Sequence, residues 1–297
     1  IFDGRNPRTK DEMMVLNNYR ALQFVKSRRN EPLTMAALLE LHTLVTEGTM
    51  DDPQDAGRIR ETDDIQVVDE TDNEILHQPP AAAELNKRLE RLIEFANRSN
   101  EGGLWIHPLV KAFALHFMLS YEHPFVDGNG RVARALFYWS ALRDGYWLIE
   151  YVSISSVIAE SKIQYGKSFL FVETDGSDLT YFLIYHAKIL ETAITRLMEY
   201  VTRRRTELRA FERRMSDRSK SDGFNHRQSW VLNEMARGRL ARLTINDHER
   251  KHGVSYLTAR ADLESLAAGS LLRKTKAGRT SIYLPARNLV ARLTASA

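Results

Sequence analysis

The sequence predicts a mostly α-helical fold with one small β-hairpin and a separate C-terminal domain. Apolar residues recur at helical spacing through residues 107–121, and a second apolar run follows residue 131, which indicates helices that pack in a bundle. The charge is divided along the chain. Residues 1–200 carry 21 Lys and Arg against 30 Asp and Glu, whereas residues 201–297 carry 21 against 9. We therefore expect two domains with different partners.

The charge division also suggests where the domains meet. We expect residues 1–200 to form the main helical domain with an N-terminal helical extension, residues 201–223 to be a helix end and linker, and residues 224–297 to form the small domain. The 297 residues include no Cys, which excludes disulfides and thiolate metal sites. No apolar run approaches the roughly 20 residues that span a bilayer, so we expect a cytoplasmic protein without membrane contact.

The elements of the first domain follow in order along the chain. A helix is expected over residues 35–45, and the alternating run over residues 64–68 indicates a strand of the hairpin. The helix through residues 107–121 must end before Pro124, since the residue before a proline is disfavoured in a helix. A further helix follows Gly130. This arrangement puts His123 at a helix exit, directly before a turn rich in glycine.

The segment from His123 to Arg134 collects groups suited to nucleotidyl or phosphoryl transfer. His123 has an ordinary pKa near neutrality and can accept the proton of an attacking hydroxyl. Gly128, Asn129 and Gly130 begin a helix, so their backbone N–H groups can hold a phosphate. Arg131 and Arg134 lie three residues apart and can bind further phosphate oxygens. Asp127 offers the hard oxygen ligand that Mg²⁺ prefers.

The same segment carries a family resemblance. The pattern His-x-Phe-x-Asp-Gly-Asn-Gly-Arg-x-x-Arg, from His123 to Arg134, resembles the full signature of the Fic (filamentation-induced-by-cAMP) family. The resemblance covers roughly residues 11–200. It implies a Fic helical bundle that transfers AMP from ATP, with Mg²⁺, to a Ser, Thr or Tyr hydroxyl of a target protein or of the chain itself. It also allows for a homodimer.

The resemblance implies a role for each residue of the signature. His123 would be the general base and Asp127 the Mg²⁺ ligand, and Phe125 would point into the core. The phosphate-binding residues would be Gly128, Asn129, Gly130, Arg131 and Arg134, of which Asn129 and Arg131 count with His123 as catalytic. The related Doc branch, whose members are kinases, has other residues in place of the two glycines. Gly128 and Gly130 therefore favour AMP transfer.

A second part of the resemblance is the hairpin. Residues 56–60, the alternating run over residues 64–68 and Gln78-Pro79-Pro80 look like the β-hairpin flap that covers the family's active site. We expect Ile65, Gln66 and Val67 to bind a target segment as an added strand. The alternative is an ordinary surface hairpin.

The family's inhibitory motif has one literal match in this chain. The match runs over residues 43–48 and places Glu47 where the inhibitory glutamate would stand. We interpret it as a decoy because it ends the helix over residues 35–45, whereas the family's inhibitory helix lies further upstream. The true motif is expected before residue 1. Arg134 would then lack a glutamate partner in this chain.

The basic C-terminal part resembles a winged helix-turn-helix. Helices are expected over residues 226–237, 244–252 and 255–268, followed by two short strands about a turn that contains Gly278. Several polar and basic residues are candidates for DNA contact on the third helix and the wing. These are Ser255, Tyr256, Arg260, Lys274, Lys276 and Arg279. The alternatives are a protein-docking module and a solvated basic face.

Two classes of function remain open from the sequence. The first is a protein adenylyltransferase whose C-terminal domain recruits a target or locates it on DNA. The second is a DNA-binding transcriptional regulator whose Fic core binds nucleotide without useful turnover. Within the first class, the transferred group can also be another nucleotidyl or phosphoryl group. The intact loop favours the enzyme, because a sensor of nucleotide would not need His123.

Overall fold

The computed structural model describes residues 6–68, 75–99, 105–221, 223–278 and 280–294. Contacts along the chain divide it into two units, residues 1–198 and residues 199–297. Most of the described residues are helical, which confirms the predicted mostly α-helical class.

The first unit is built from helices. They are α1 (Lys10–Ser27), α2 (Met35–Thr46), α3 (Leu85–Asn97), α4 (Pro108–Glu122), α5 (Asn129–Arg143), α6 (Ile154–Ala159), α7 (Lys162–Thr174) and the first part of α8 (Thr180–Ser221). Local sequence sets several starts. The Thr9 and Thr34 hydroxyls accept backbone N–H groups at the starts of α1 and α2, and Pro108 occupies the first turn of α4.

The α4–α5 pair lies at the centre of this unit. One buried cluster packs α4 and α5 against α1, α2 and α3, with Leu38, Leu119 and Leu136 among its members. A second cluster packs the other side of the pair against α6, α7 and α8, and it includes Phe137 and Phe182. The loop between α4 and α5 is therefore held between two helices that are packed on both sides.

The hairpin consists of β1 (Val67–Val68) and β2 (Ile75–His77), which pair antiparallel. The predicted strand over residues 64–68 was too long, because only its last two residues pair. Backbone and side-chain groups just before β1 have other partners. The Thr62 carbonyl accepts from Arg60, and the Asp63 carboxylate accepts from the backbone of Ala82 at 2.6 Å.

The second unit continues α8 to Ser221 and then forms a small mixed domain. Its elements are α9 (His226–Ala236), β3 (Leu243–Thr244), α10 (Ile245–His252), α11 (Tyr256–Ala268), β4 (Leu272–Ala277), β5 (Thr280–Pro285) and α12 (Leu289–Thr294). The sheet is antiparallel in the order β3-β5-β4. Capping boxes led by Asn225 and Thr244 begin α9 and α10. The sequence did not predict α12.

Asp262 of α11 lies at the centre of the second unit's polar interior. Its carboxylate accepts from the Arg227 guanidinium at 2.6 Å, from the Asn225 amide at 2.6 Å and faces His248 Nε2 at 3.2 Å. The Asp262 side chain is 6% exposed. This buried carboxylate therefore joins α9, α10 and α11.

In the described ranges, no helix has both the length and the apolar content that crossing a membrane requires.

Candidate active site

The site begins at the C-terminal end of α4. His123 is the residue after the helix and has left-handed backbone angles, φ 45° and ψ 56°. Its N–H donates to the Leu119 carbonyl at 3.0 Å, and Pro124 prevents the helix from continuing. A residue other than glycine in this conformation costs about 1–3 kcal/mol, so the surrounding contacts must hold it. The predicted helix exit at His123 is confirmed.

The contacts of the His123 ring define which nitrogen carries the proton. Nδ1 lies 3.2 Å from the Ser120 carbonyl, which can only accept a hydrogen bond. The proton therefore belongs on Nδ1, and Nε2 keeps its lone pair. Burial lowers the pKa of His123 to about 4, and the hydrogen bond to Ser120 opposes this only in part. The ring is neutral at neutral pH, as a general base must be.

The loop between α4 and α5 is fixed from inside by Asn129. The Asn129 amide donates to the Phe125 carbonyl at 2.7 Å, and its oxygen accepts from the Phe125 N–H at 2.9 Å. Both residues are buried, as predicted for Phe125. The Asn129 side chain thus holds the loop, and the group of Asn129 that can bind a phosphate is its backbone N–H.

The start of α5 provides the backbone donors. The first N–H groups of a helix have no carbonyl one turn earlier, and those of Asn129 and Gly130 make no hydrogen bond to any described residue. Gly128 has φ 86°, and a Cβ there would lie 2.7 Å from the Thr46 methyl carbon. Only glycine fits at this position. The turn at the start of α5 is therefore open to an anion.

Asp127 and Arg131 are already paired. Arg131 Nη2 lies 2.7 Å from Asp127 Oδ2, and Arg131 Nη1 donates to the Val45 carbonyl at 2.7 Å and to the Thr49 hydroxyl at 3.0 Å. The Arg131 side chain is 11% exposed and that of Asp127 is 57% exposed. Arg131 therefore joins the end of α2 to the loop, while the Asp127 carboxylate faces solvent.

Arg134 lies one turn further along α5. It forms no ion pair with any carboxylate of the described residues. Burial raises the pKa of the Tyr165 hydroxyl. The positive charge of Arg134 and a hydrogen bond with Arg134 oppose this rise in part. Glu47, of the literal inhibitory match, instead lies 2.5 Å from Arg20 of α1. This pairing agrees with the interpretation of the match as a decoy.

His42 of α2 contacts the loop between α4 and α5, and the sequence did not predict this role. Its ring stacks on Phe125 with centroids 3.8 Å apart, and its Nε2 lies 2.9 Å from the Asp127 carbonyl. Its Nδ1 accepts from the Gly57 N–H at 2.8 Å, so the proton lies on Nε2. Burial lowers the pKa of His42. A histidine within an apolar helix gave no sequence signal of this role.

The predicted residues of the loop line one open cavity of about 260 Å³. Its lining residues are His123, Val126, Asp127, Gly128, Asn129, Gly130, Arg131 and Arg134. A second cavity of about 270 Å³ shares Arg131 and Arg134 and is lined on its other side by Tyr19, Tyr138 and Tyr151. The structure thus brings the predicted base, the predicted Mg²⁺ ligand and the predicted phosphate-binding residues together around one space.

Of the predicted flap residues, Val67 lies in β1, and Ile65 and Gln66 lie before it. The Gln66 amide donates to the Gln78 side chain at 2.9 Å, across the hairpin. Among the described residues, β1 pairs only with β2. Its second edge is therefore open to an added strand.

The candidate DNA-binding residues lie in the second unit, and two of them share one partner. Arg260 and Lys274 both lie 3.0 Å from Glu264 Oε1, which neutralises part of their charge. Ser255 caps α11 through Thr258, and Tyr256 is 46% exposed. Lys276 is exposed on β4, and Arg279 lies outside the described residues.

Comparison with known proteins identifies a family to which part of this chain is similar. The model of the Fic/DOC family matches residues 32–141. The chain is 30% identical over 201 residues to protein adenylyltransferase fic-1 of Caenorhabditis elegans, which covers 66% of this chain and 35% of the relative. It is 33% identical over 135 residues to protein adenylyltransferase Fic of Nematostella vectensis, covering 44% of this chain and 29% of the relative. The chain thus spans about a third of the length of these relatives.

A solved structure resembles the fold. A Fic family protein from Desulfovibrio desulfuricans superposes with a TM-score of 0.57 at 20% identity, over 96% of this chain and 79% of that one. The mostly helical bundle with a small antiparallel sheet is consistent with this fold.

Proposed function

Since residues 32–141 form a Fic/DOC family domain, we propose that this chain is a protein adenylyltransferase. It transfers AMP from ATP to a Ser, Thr or Tyr hydroxyl of a target protein, or of the chain itself. The observation that carries the proposal is the geometry of one cavity. His123, whose Nε2 is unprotonated, lines the same cavity as Asn129 and Gly130, whose backbone N–H groups make no hydrogen bond to a described residue. The names of the two relatives support the same activity.

The reaction follows from these groups. The target hydroxyl gives its proton to His123 Nε2, and its oxygen bonds to the α-phosphorus of ATP. The bond from that phosphorus to the bridging oxygen breaks, and pyrophosphate leaves. The N–H groups of Asn129 and Gly130 stabilise the negative charge that grows on the α-phosphate oxygens. Arg134, which has no carboxylate partner among the described residues, is available to the outer phosphates.

Asp127 is suited to hold Mg²⁺. Its carboxylate is 57% exposed toward solvent, and it keeps lone pairs beyond those used by the Gly128 N–H and Arg131. Mg²⁺ commonly takes one protein carboxylate and completes its shell with water and phosphate oxygens. When bound there, the cation would neutralise phosphate charge. The pairing of Arg131 with Asp127 positions both side chains beside the cavity.

The flap is proposed to bind the target. The open edge of β1 offers backbone groups to an extended segment, and Ile65, Gln66 and Val67 lie along it. Such pairing would fix the register of the segment and bring its hydroxyl toward His123. The target chemistry is thus an extended segment with a Ser, Thr or Tyr.

We propose a winged helix-turn-helix for the second unit. The order of α9, β3, α10, α11, β4 and β5, with an antiparallel sheet in the order β3-β5-β4, supports it. If this unit binds DNA, the second candidate function of the chain is that of a DNA-binding regulator whose Fic core binds nucleotide. The contacts of Glu264 with Arg260 and Lys274 weigh against a strong phosphate-binding face. The homodimer stays a prediction.

Labelled nucleotides distinguish AMP transfer from phosphoryl transfer and from a DNA-binding regulator without turnover. The full chain is incubated with Mg²⁺ and ATP labelled on the α-phosphate or on the γ-phosphate. We expect α-label on protein in the wild type and in His226→Ala, an exposed histidine of the second unit, and none in His123→Ala. Protein carrying the γ-label would instead indicate phosphoryl transfer. No protein label, together with a DNA gel shift that weakens steeply with salt, would favour the regulator.

A further inference from the structure

Arg60 is a buried cation between the hairpin and the catalytic loop. Its side chain is 1% exposed, although arginine is almost never fully buried unless its charge is paired. The nearest carboxylate, that of Asp63, lies 3.3 Å from Nη1 but is itself 65% exposed. Carbonyl groups must therefore satisfy most of this guanidinium.

Three backbone carbonyls from three segments accept from Arg60. Nε donates to His123 at 2.9 Å, Nη1 to Thr62 at 2.6 Å and Nη2 to Pro80 at 2.5 Å. The backbone N–H of Arg60 donates to the Pro124 carbonyl at 2.9 Å. A planar guanidinium can reach several acceptors in fixed directions, whereas a lysine ammonium cannot reproduce this set.

The contact with His123 fixes a strained peptide. The His123 N–H is held by Leu119 and its carbonyl by Arg60, so both peptide groups beside its left-handed Cα are anchored. Without the anchor on the carbonyl, this backbone could relax from a conformation that costs about 1–3 kcal/mol. The direction of the imidazole ring, and hence of Nε2, would change with it.

The other two contacts fix the hairpin. Thr62 lies before β1 and Pro80 lies after β2, so the same guanidinium holds both ends of the flap. The base and the edge that would bind a target segment therefore share one anchor. A shift of about 1 Å between a base and a reacting hydroxyl can cost about 100-fold in rate.

We propose that Arg60 is a positioning residue for the transfer reaction: it orients His123 relative to the flap that presents the target hydroxyl. This inference rests on the proposed function. Arg60 lines neither cavity around the loop, and the phosphate-binding turn is held separately by Asn129 and His42. Loss of Arg60 should therefore reduce the rate of transfer and spare the binding of nucleotide.

The test compares Arg60→Lys and Arg60→Gln with Arg58→Gln in the full chain. Arg58 lies two residues away and is exposed, and its side chain makes no hydrogen bond or ion pair with a described residue, so it is a matched control. The measurements are kcat for protein labelling, Kd for ATP with Mg²⁺, and circular dichroism for folding. We expect kcat to fall about 10- to 100-fold in folded Arg60→Lys, with Kd within about twofold and Arg58→Gln unchanged.

A folded Arg60→Lys whose kcat stays within about twofold of the wild type would overturn the proposal. So would a Kd that weakens by the same factor as kcat, because Arg60 would then merely maintain the whole site. Arg60→Lys keeps the positive charge and the aliphatic part of the side chain. It therefore tests the positioning role even if Arg60→Gln does not fold.

A second measurement needs no activity. Burial is the largest cause that lowers the pKa of His123; the charges of His77 and Arg60 lower it further, while the bond to Ser120 and the charge of Asp127 oppose them. In an NMR titration without nucleotide, the His123 pKa should therefore be higher in Arg60→Gln than in the wild type and in Arg58→Gln. An unchanged pKa would show that the charge of Arg60 does not act on the His123 ring, and would contradict the placement of the guanidinium beside the base. If the wild type transfers no AMP, the proposed function fails, and this titration still judges the role of Arg60 at His123.

Discussion

The pH dependence of transfer follows from the burial of His123. An ordinary histidine with a pKa of 6.5 would be about 10% neutral at pH 5.5, whereas a pKa of about 4 leaves His123 about 97% neutral there. Because the neutral ring is the proposed base, kcat/KM should fall less than twofold between pH 7.5 and pH 5.5. It should then fall about tenfold for each unit below the pKa.

The assay measures labelling from α-labelled ATP at saturating Mg²⁺, with Kd for ATP measured at each pH to separate binding from chemistry. Stability must be followed alongside. Burial also lowers the pKa values of His42, His116 and His186. A lowered folded-state pKa means that the unfolded chain binds more protons, so stability is full above about pH 6.5 and is lost as pH falls toward the folded-state values. Circular dichroism at each pH identifies where unfolding begins.

An acid limb centred near pH 6.5, in protein that is still folded and still binds ATP, would contradict a buried, neutral His123. His123 would then titrate as an exposed histidine, and its burial and its bond to Ser120 would not describe the active enzyme.

Three further changes test other contacts. Gly128→Ala should lower the free energy of unfolding by about 1–3 kcal/mol and abolish labelling. Adding Thr46→Ser to the same chain should recover part of the stability in thermal melts, because it removes the methyl carbon that the new Cβ would clash with. Asn129→Ala leaves two buried backbone groups of the loop unpaired, so it should cost about 2–6 kcal/mol in denaturant unfolding; a cost below about 1 kcal/mol would argue against the contact. Asp262→Ala removes the carboxylate that accepts from Arg227 and Asn225 and should lower the free energy of unfolding of the second unit, as followed by hydrogen exchange, while labelling at the first unit persists.

The order of elements around the loop could be predicted because its causes are local. Periodic apolar residues define α4, Pro124 ends it, and glycines with a following apolar run define the start of α5. The candidate site residues are contiguous in sequence, so the short loop brings them together without knowledge of the rest of the fold. In the second unit, α9, α10, α11, β4 and β5 could be predicted for the same reason, whereas β3 and α12 were not predicted.

The supporting contacts could not be predicted because they depend on distant backbone atoms. His42 binds the carbonyl of Asp127, 85 positions away, and Arg60 binds that of His123, 63 positions away. Every residue has such a carbonyl, so the partner leaves no trace in the sequence. The pairing of Arg260 with Glu264 shows a related effect, since a basic residue read from sequence as a phosphate ligand already has an acidic neighbour.

Intact-mass spectrometry of the full chain and its His123→Ala variant, each incubated with ATP and Mg²⁺, is the decisive experiment for His123 as the base of AMP transfer. We expect that the wild-type chain, or an added target protein, gains the mass of one AMP group and that the variant adds none while it still binds ATP. An equal gain of AMP with His123→Ala would contradict the assignment of His123 as the base.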